Sequence, residues 1–250
     1  MKALITGASS GLGKEFANIL SNMGYDLILV ARRKKKLESL KNKLKTNITI
    51  IDMDISSSYN CIKLYEQVKN EDIDILINNA GFGLFGDFIS TNIEKELDMI
   101  DLNIKAVHIL TKLFLKDFKK KNKGYILNVA STAAFQPGPL MSVYYATKSY
   151  VFNLTHAIRK ELKKEGSHIY IGTLCPGPVE TEFNKVAGVK FSVKSLTSNY
   201  VCNYAIKKMF KNKSIILPGM SAKTVYYLGR FAPLNLKLNI AYNIQKSKKG

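Results

Sequence analysis

The sequence predicts an α/β fold in which the strands of a parallel sheet alternate with helices. Three observations lead to it. Short apolar runs rich in β-branched residues recur between amphipathic helical patterns. The first run, Ala3-Leu4-Ile5, passes directly into the glycine-rich stretch Thr6-Gly7-Ala8-Ser9-Ser10-Gly11-Leu12-Gly13 and then into a helix. A chain of 250 residues with 46% hydrophobic content is long enough to bury the core of one α/β domain, read here as residues 1–250 without long linker or internal repeat.

The glycine stretch is a strand-to-helix turn, because Phe16, Ala17, Ile19 and Leu20 fall on one helical face behind it. Three glycines let the backbone approach a ligand without Cβ clashes, and the first-turn N–H groups of the helix point at any anion placed there. Taken alone, the stretch reads equally as a tight bend and as a phosphate cradle. Residues 26–31 form a second strand, which completes a βαβ unit, and a Lys-rich helix with Leu37, Leu40 and Leu44 on one face follows. In a dinucleotide-binding unit the end of this second strand meets the adenosine ribose, where an acid suits a free 2′-hydroxyl and a base suits a 2′-phosphate. Arg32 and Arg33 stand there. A guanidinium pairs with phosphate, so the sequence chooses NADP(H) over NAD(H).

Residues 48–53 read as a third strand, and Asp54-Ile55 at its end is placed to meet an adenine amino group. A helix through Ile62, Leu64, Tyr65 and Val68 leads to a buried strand at 73–77, which ends in Asn78-Asn79-Ala80-Gly81 and suits a close backbone approach to a ribose. After a loop at 84–90, one long helix spans about 91–121, with Leu97, Ile100, Ile104, Val107, Leu110, Leu113 and Phe114 as its inward stripe. Asn103 lies close to that stripe, where an amide needs partners, and by itself reads as structural or catalytic. A strand at 125–129 is followed by Ala130-Ser131-Thr132 and a loop through Gln136-Pro137-Gly138-Pro139. The next helix runs from Tyr144 to about Lys164, and its Tyr144 and Lys148, four apart, share a face. A strand at 169–174 ends in a rigid turn, Cys175-Pro176-Gly177-Pro178-Val179-Glu180-Thr181. Residues 182–199 read as a mobile segment covering the substrate, 200–211 as a helix and 215–217 as the last strand. Residues 221–250 form a C-terminal helical extension of one or two pieces, broken near Pro233.

The net charge of +19 favours anionic partners: nucleotide phosphates, acidic carrier proteins or an anionic membrane surface. Without an RRM-, KH- or zinc-type motif, no nucleic-acid partner is expected. Cys61, Cys175 and Cys202 share no CxxC spacing and His108, His156 and His168 no metal-ligand spacing. Reduced thiols and no metal are expected. No apolar run reaches the roughly 18 residues of a spanning helix, and with no signal peptide read the expectation is a cytoplasmic protein.

A free tyrosine, with a pKa near 10, is a poor base at neutral pH but delivers a proton to an alkoxide. Lys148 beside Tyr144 favours the phenolate, and a depression of roughly three units, about 4 kcal/mol, is attainable from that ammonium together with a nicotinamide cation. Ser131 is placed to hydrogen-bond a substrate oxygen. The fixed order of TGxxxGxG, NNAG, Asn103, Ser131, YxxxK and PGxVxT resembles the short-chain dehydrogenase/reductase family, from about Ala3 to Thr181. The resemblance implies a Rossmann fold, that is a doubly wound parallel sheet of about seven strands, and frequent homodimers or homotetramers. It implies an NADP-dependent oxidoreductase that interconverts a carbonyl and a secondary alcohol by hydride transfer. Tyr144 would be the acid/base, Ser131 would orient the carbonyl or carbinol, Lys148 would bind the nicotinamide ribose and lower the tyrosine pKa, and Asn103 would hold a water in a proton relay. The cofactor would lie against Gly7, Ser9, Ser10, Gly11, Leu12, Gly13, Arg32, Arg33, Asp54, Ile55, Asn79, Tyr144, Lys148, Pro176, Val179 and Thr181.

Phe82, Phe85, Phe135, Met141, Phe183 and Phe191 fall in segments around the cleft and point to a bulky apolar substrate, steroid-like or acyl. A positive surface also suits a 3-oxoacyl group on an acidic carrier. In the C-terminal extension, Val225, Tyr226, Tyr227, Leu228, Phe231, Leu234, Leu236, Leu238, Ile240 and Tyr242 alternate with Lys223, Arg230, Lys237 and Lys246. Such a segment packs on its own domain or a neighbouring subunit, or lies in a membrane interface. The competing functional class is an NADPH-sensing or membrane-surface binding protein without turnover.

Overall fold

Seven strands pair in parallel in the order β3-β2-β1-β4-β5-β6-β7. They are β1 (Lys2–Thr6), β2 (Asp26–Ala31), β3 (Ile48–Asp52), β4 (Ile73–Asn78), β5 (Tyr125–Val129), β6 (Tyr170–Leu174) and β7 (Ile215–Ile216). The computed structural model describes residues 1–183, 187–188 and 195–246. The helices are α1 (Gly11–Asn22), α2 (Lys34–Lys41), α3 (Ser58–Val68), α4 (Ile93–Ile100), α5 (Val107–Lys121), α6 (Ser142–Lys164), α7 (Ser198–Phe210), α8 (Gly219–Leu228) and α9 (Leu234–Lys246).

Alternation along each strand feeds two cores. Ala3, Ile5, Leu27 and Leu29 face α1, α2 and α7, against Phe16, Leu20, Leu37, Val201 and Ile206. Leu4, Ile28, Val30 and Leu76 face the other side, against Leu64, Leu110, Phe114 and Phe118. Both faces of the strands are apolar because both are covered, which is why these runs read as continuous hydrophobic stretches. The strand order reverses between β1 and β4. Such a switch point opens a crevice at the carboxyl ends of the strands.

The long helix expected over 91–121 is continuous in direction but not uniform. A π-helical segment, Asp101–Ala106, separates α4 from α5. The wider turn carries the fully buried Asn103 inward, where its amide finds partners that a regular helix would not bring within reach. The predicted stripe holds for Val107, Leu110 and Phe114, which are buried, but not for Leu97, which is 53% exposed. α4 lies against α6 and buries Glu96 and Met99 instead.

This packing sets a contrast in stability. Phe118→Ala, at a fully buried ring, should cost about 3–5 kcal/mol, whereas Leu97→Ala should change stability by no more than about 0.5 kcal/mol. Urea unfolding followed by circular dichroism measures both, and equal losses would contradict the burial described.

Candidate active site

The site is built at the seam between β1 and β4. Thr6, the last residue of β1, is 1% exposed. Its hydroxyl accepts from the N–H groups of Asn79 and Ala80, both at 3.0 Å. The Asn79 amide donates back to the carbonyls of Thr6 at 2.9 Å and Gly7 at 3.3 Å. The Asn79 side chain is therefore spent on bracing the glycine turn. Thr6 opens the TGxxxGxG stretch, and the structure adds the bonds by which it braces the turn after β4.

The turn leaves no room for side chains. Gly7 and Gly11 adopt positive φ angles of 65° and 53°. A Cβ on Gly13 would lie 2.3 Å from the Gly7 carbonyl oxygen. The first N–H groups of α1 thus face outward over a bare backbone, the chemistry of an anion cradle. Beside it, Arg33 donates to the hydroxyls of Ser9 (3.0 Å) and Ser10 (2.7 Å) and to the Glu182 carboxylate (2.8 Å). Lys36 donates to the other Glu182 oxygen at 2.5 Å. The Lys36 ammonium and the Arg33 guanidinium hold the Glu182 carboxyl down to about 2. A cavity of about 500 Å³ opens here, lined by Ser9, Ser10, Lys14, Lys36, Lys43, Thr181 and Glu182, and it includes none of the residues around Tyr144.

Arg32 is more exposed and pairs with Asp54 at 3.5 Å. Burial raises the Asp54 carboxyl, but bonds from Ser56 and the Arg32 charge outweigh it, and its pKa is lowered. The Ile55 side chain packs in the core against α3, and its carbonyl accepts from the Cys61 thiol at 3.1 Å. Leu12 and Val179 likewise turn their side chains into the core on the α1 side. The Pro176 carbonyl accepts from Thr132 at 3.0 Å and from the Ser131 hydroxyl at 3.4 Å. Thr181 borders Gly11.

Across the crevice, α6 buries Tyr144, Thr147, Lys148 and Val151 on one stripe. The Lys148 ammonium donates to the Val129 carbonyl at 2.9 Å and lies 5.8 Å from the centre of the Tyr144 ring. Burial lowers the Lys148 pKa to about 8. Burial also raises the Tyr144 pKa well above 10, against a hydrogen bond with Ser131 that lowers it. Lys148 alone does not bring the Tyr144 phenol toward its phenolate; the expected depression drew on a nicotinamide cation as well. With the ammonium committed to a carbonyl, desolvation dominates and holds the phenol protonated.

Asn103 clasps the loop after β4: its amide donates to the Phe82 carbonyl at 2.9 Å and accepts from the Phe82 N–H at 3.1 Å. It also donates to the Thr147 hydroxyl at 3.1 Å, a partner the sequence did not reveal. A Cβ on Gly81 would lie 2.8 Å from the Asn103 oxygen and 3.4 Å from the Lys148 ammonium, so Asn103 and Lys148 converge on one backbone position. Ser131 caps a short 3-10 turn, accepting from the Ala133 N–H at 3.1 Å.

An apolar wall surrounds Tyr144: Phe82, Leu84, Phe85, Met99, Met141, Tyr145, Phe183 and Ala187. Phe135, expected here, packs instead on Phe152 and Tyr226 at the base of α8. Phe191 lies outside the described residues, as does half of the predicted covering segment (184–186 and 189–194). Among the described residues no group of three or more His, Cys, Asp or Glu side chains is arranged to hold a metal ion.

Comparison with known proteins agrees with this architecture. The family described as short chain dehydrogenase matches residues 1–192. The NADP-dependent 3-hydroxy acid dehydrogenase of Schizosaccharomyces pombe is 39% identical over 191 residues, covering 73% of this chain and 73% of its own. Among solved structures, a short-chain dehydrogenase from Sphingobium yanoikuyae in complex with NADPH superposes with a TM-score of 0.84 at 27% identity, over 94% of each chain. The bulky-bulky ketone specific alcohol dehydrogenase from Comamonas testosteroni does so with a TM-score of 0.79 at 28% identity, over 92% of this chain and 91% of its own. A parallel seven-stranded sheet with its crevice at the β1/β4 switch, the glycine turn and the Ser131, Tyr144 and Lys148 cluster thus place this chain in the short-chain dehydrogenase family.

Proposed function

We propose that the protein is an NADP(H)-dependent oxidoreductase interconverting a carbonyl and a secondary alcohol, with Tyr144 as acid/base. The observation that carries the cofactor preference is the Arg33 cluster. At the ribose position of β2 a guanidinium and an ammonium already hold a carboxylate and two serine hydroxyls, which is the chemistry that recognises a 2′-phosphate. The S. pombe relative named NADP-dependent and the S. yanoikuyae structure with NADPH support the same preference. The cradle of Gly7, Ser9, Ser10, Gly11, Leu12 and Gly13 would receive the pyrophosphate, with Asp54, Ile55 and Asn79 along the adenosine side and Pro176, Val179 and Thr181 along the nicotinamide side. When bound, the cofactor supplies the hydride.

In the reduction direction Tyr144 holds its proton at the hydroxyl and gives it to the developing alkoxide. Burial keeps that proton in place at neutral pH. Ser131, just after the end of β5 and facing Tyr144, orients the carbonyl oxygen toward the same hydroxyl. Lys148 would bind the ribose hydroxyls, beside the loop after β4 that Asn103 fastens. The apolar wall excludes water and suits a bulky substrate, steroid-like or acyl; the bulky-ketone specificity in the name of the C. testosteroni enzyme supports that reading. A purely NADPH-sensing protein would have no need of a buried acid beside a serine.

Tyr144→Phe should abolish ketone reduction while NADPH affinity, read by cofactor fluorescence, stays nearly unchanged. Substantial residual turnover would remove Tyr144 from the acid/base role. Arg33→Ala should weaken NADPH about ten- to a hundredfold by losing charge-assisted bonds and leave NADH nearly unaffected, and equal losses for both cofactors would refute the 2′-phosphate assignment. With the Lys148 pKa lowered to about 8, its ammonium is present below that pH and lost above it. kcat/KM for reduction should therefore be flat on the acid side and fall as pH rises through about 8, and a profile flat to pH 10 would show that the ammonium is dispensable.

A further inference from the structure

The charge of this chain is unevenly distributed. Residues 183–250 contain thirteen Lys and Arg and no Asp or Glu, whereas residues 1–182 contain 25 basic and 19 acidic residues. The same carboxylate-free stretch carries α8 and α9, and these helices are anchored by one face only. Ala222 and Ala241 are buried, Tyr226 packs edge-on against Phe135, and Gln245 donates to the Tyr145 hydroxyl at 2.5 Å. Away from these anchors, large apolar side chains stand in solvent: Tyr227 57%, Leu228 66%, Phe231 87%, Leu234 56%, Leu236 50% and Ile240 49% exposed. Lys223, Arg230 and Lys237 are interspersed with them.

We propose that the exposed face of α8 and α9 docks onto an anionic lipid bilayer. Exposed Leu, Ile, Phe and Tyr side chains interleaved with basic residues and no acid are the composition of a helix lying in the interface plane, its apolar groups among the acyl chains and its Lys and Arg at the headgroups. The two helices, of 10 and 13 residues, are too short to cross the roughly 30 Å hydrocarbon core, and no described helix is long and apolar enough to do so. A second copy of the chain is the poorer occupant. A two-fold interface sets the same patch against itself, and here that brings Lys223, Arg230 and Lys237 toward their own equivalents with no carboxylate to meet them. A bilayer rich in acidic lipid supplies both the apolar phase and the countercharge. The opposite, buried side of α9 is joined to the cleft, because its Gln245 bonds Tyr145, packed on the wall around Tyr144. The docked helix is thus held beside the apolar entrance.

Co-sedimentation of the full chain with vesicles tests this. It should pellet with phosphatidylcholine vesicles containing one-third phosphatidylglycerol and stay in solution with phosphatidylcholine alone. The double variant Leu228→Asn, Phe231→Asn should weaken this binding by more than about tenfold, and the triple variant Lys223→Gln, Arg230→Gln, Lys237→Gln by about a hundredfold. All five side chains lie outside the site around Tyr144, so NADPH binding and melting temperature serve as controls for folding. Failure to pellet with the anionic vesicles would overturn the proposal. So would binding that survives loss of Leu228 and Phe231, or a dimer seen by light scattering that the double variant dissociates.

Discussion

The structure depends on one seam, where β1 and β4 meet and the order of strands reverses. A parallel sheet has no short way to hold its central strands at their carboxyl ends, because the ladder stops there and the chain leaves on opposite sides. Here the Thr6 hydroxyl closes that gap by accepting two N–H groups from the turn after β4, and the Asn79 amide closes it from the other side. The glycine turn is then held so tightly that Gly13 tolerates no Cβ. The bare, outward-facing amides of α1 are a consequence of this closure, as is the crevice in which the other groups meet.

Burial governs the chemistry on the far wall of the crevice. Tyr144 and Lys148 lie on the inward stripe of α6, and desolvation acts on them in opposite senses, raising the phenol and lowering the ammonium. Each is pushed toward its neutral form. The π-helical turn before α5 serves the same wall. By widening one turn it lets Asn103 fasten the Phe82 backbone and Thr147 at once, linking the loop after β4 to α6 through a single buried amide. An amide buried without such partners would cost a few kcal/mol.

Charge is distributed to different ends. Around the glycine turn, Arg33 and Lys36 are compensated by Glu182 and locked in place. In residues 183–250 no carboxylate is present, and the positive charge is left to act over a surface. The same net charge therefore covers a compensated cluster beside the glycine turn and a stretch without carboxylates, and only their position in the chain distinguishes them.

The order of strands and helices was legible from the apolar runs and their periodicity, with boundaries differing by only a residue or two, as at 48–53 against Ile48–Asp52. So were the residues that gather at the cleft, because Ser131, the Tyr144–Lys148 spacing and the arginines after β2 are local patterns read at strand ends. What sequence could not supply are relations between distant residues. Asn79 turned to the glycine turn, Ile55 to the core, Phe135 to Tyr226 and Leu97 to solvent, since each choice depends on which neighbour arrives from elsewhere in the chain. The protonation of Tyr144 belongs to the same class: a four-residue spacing brings an ammonium near a phenol, but only the tertiary packing sets how much water either group keeps, and that decides which form is stable.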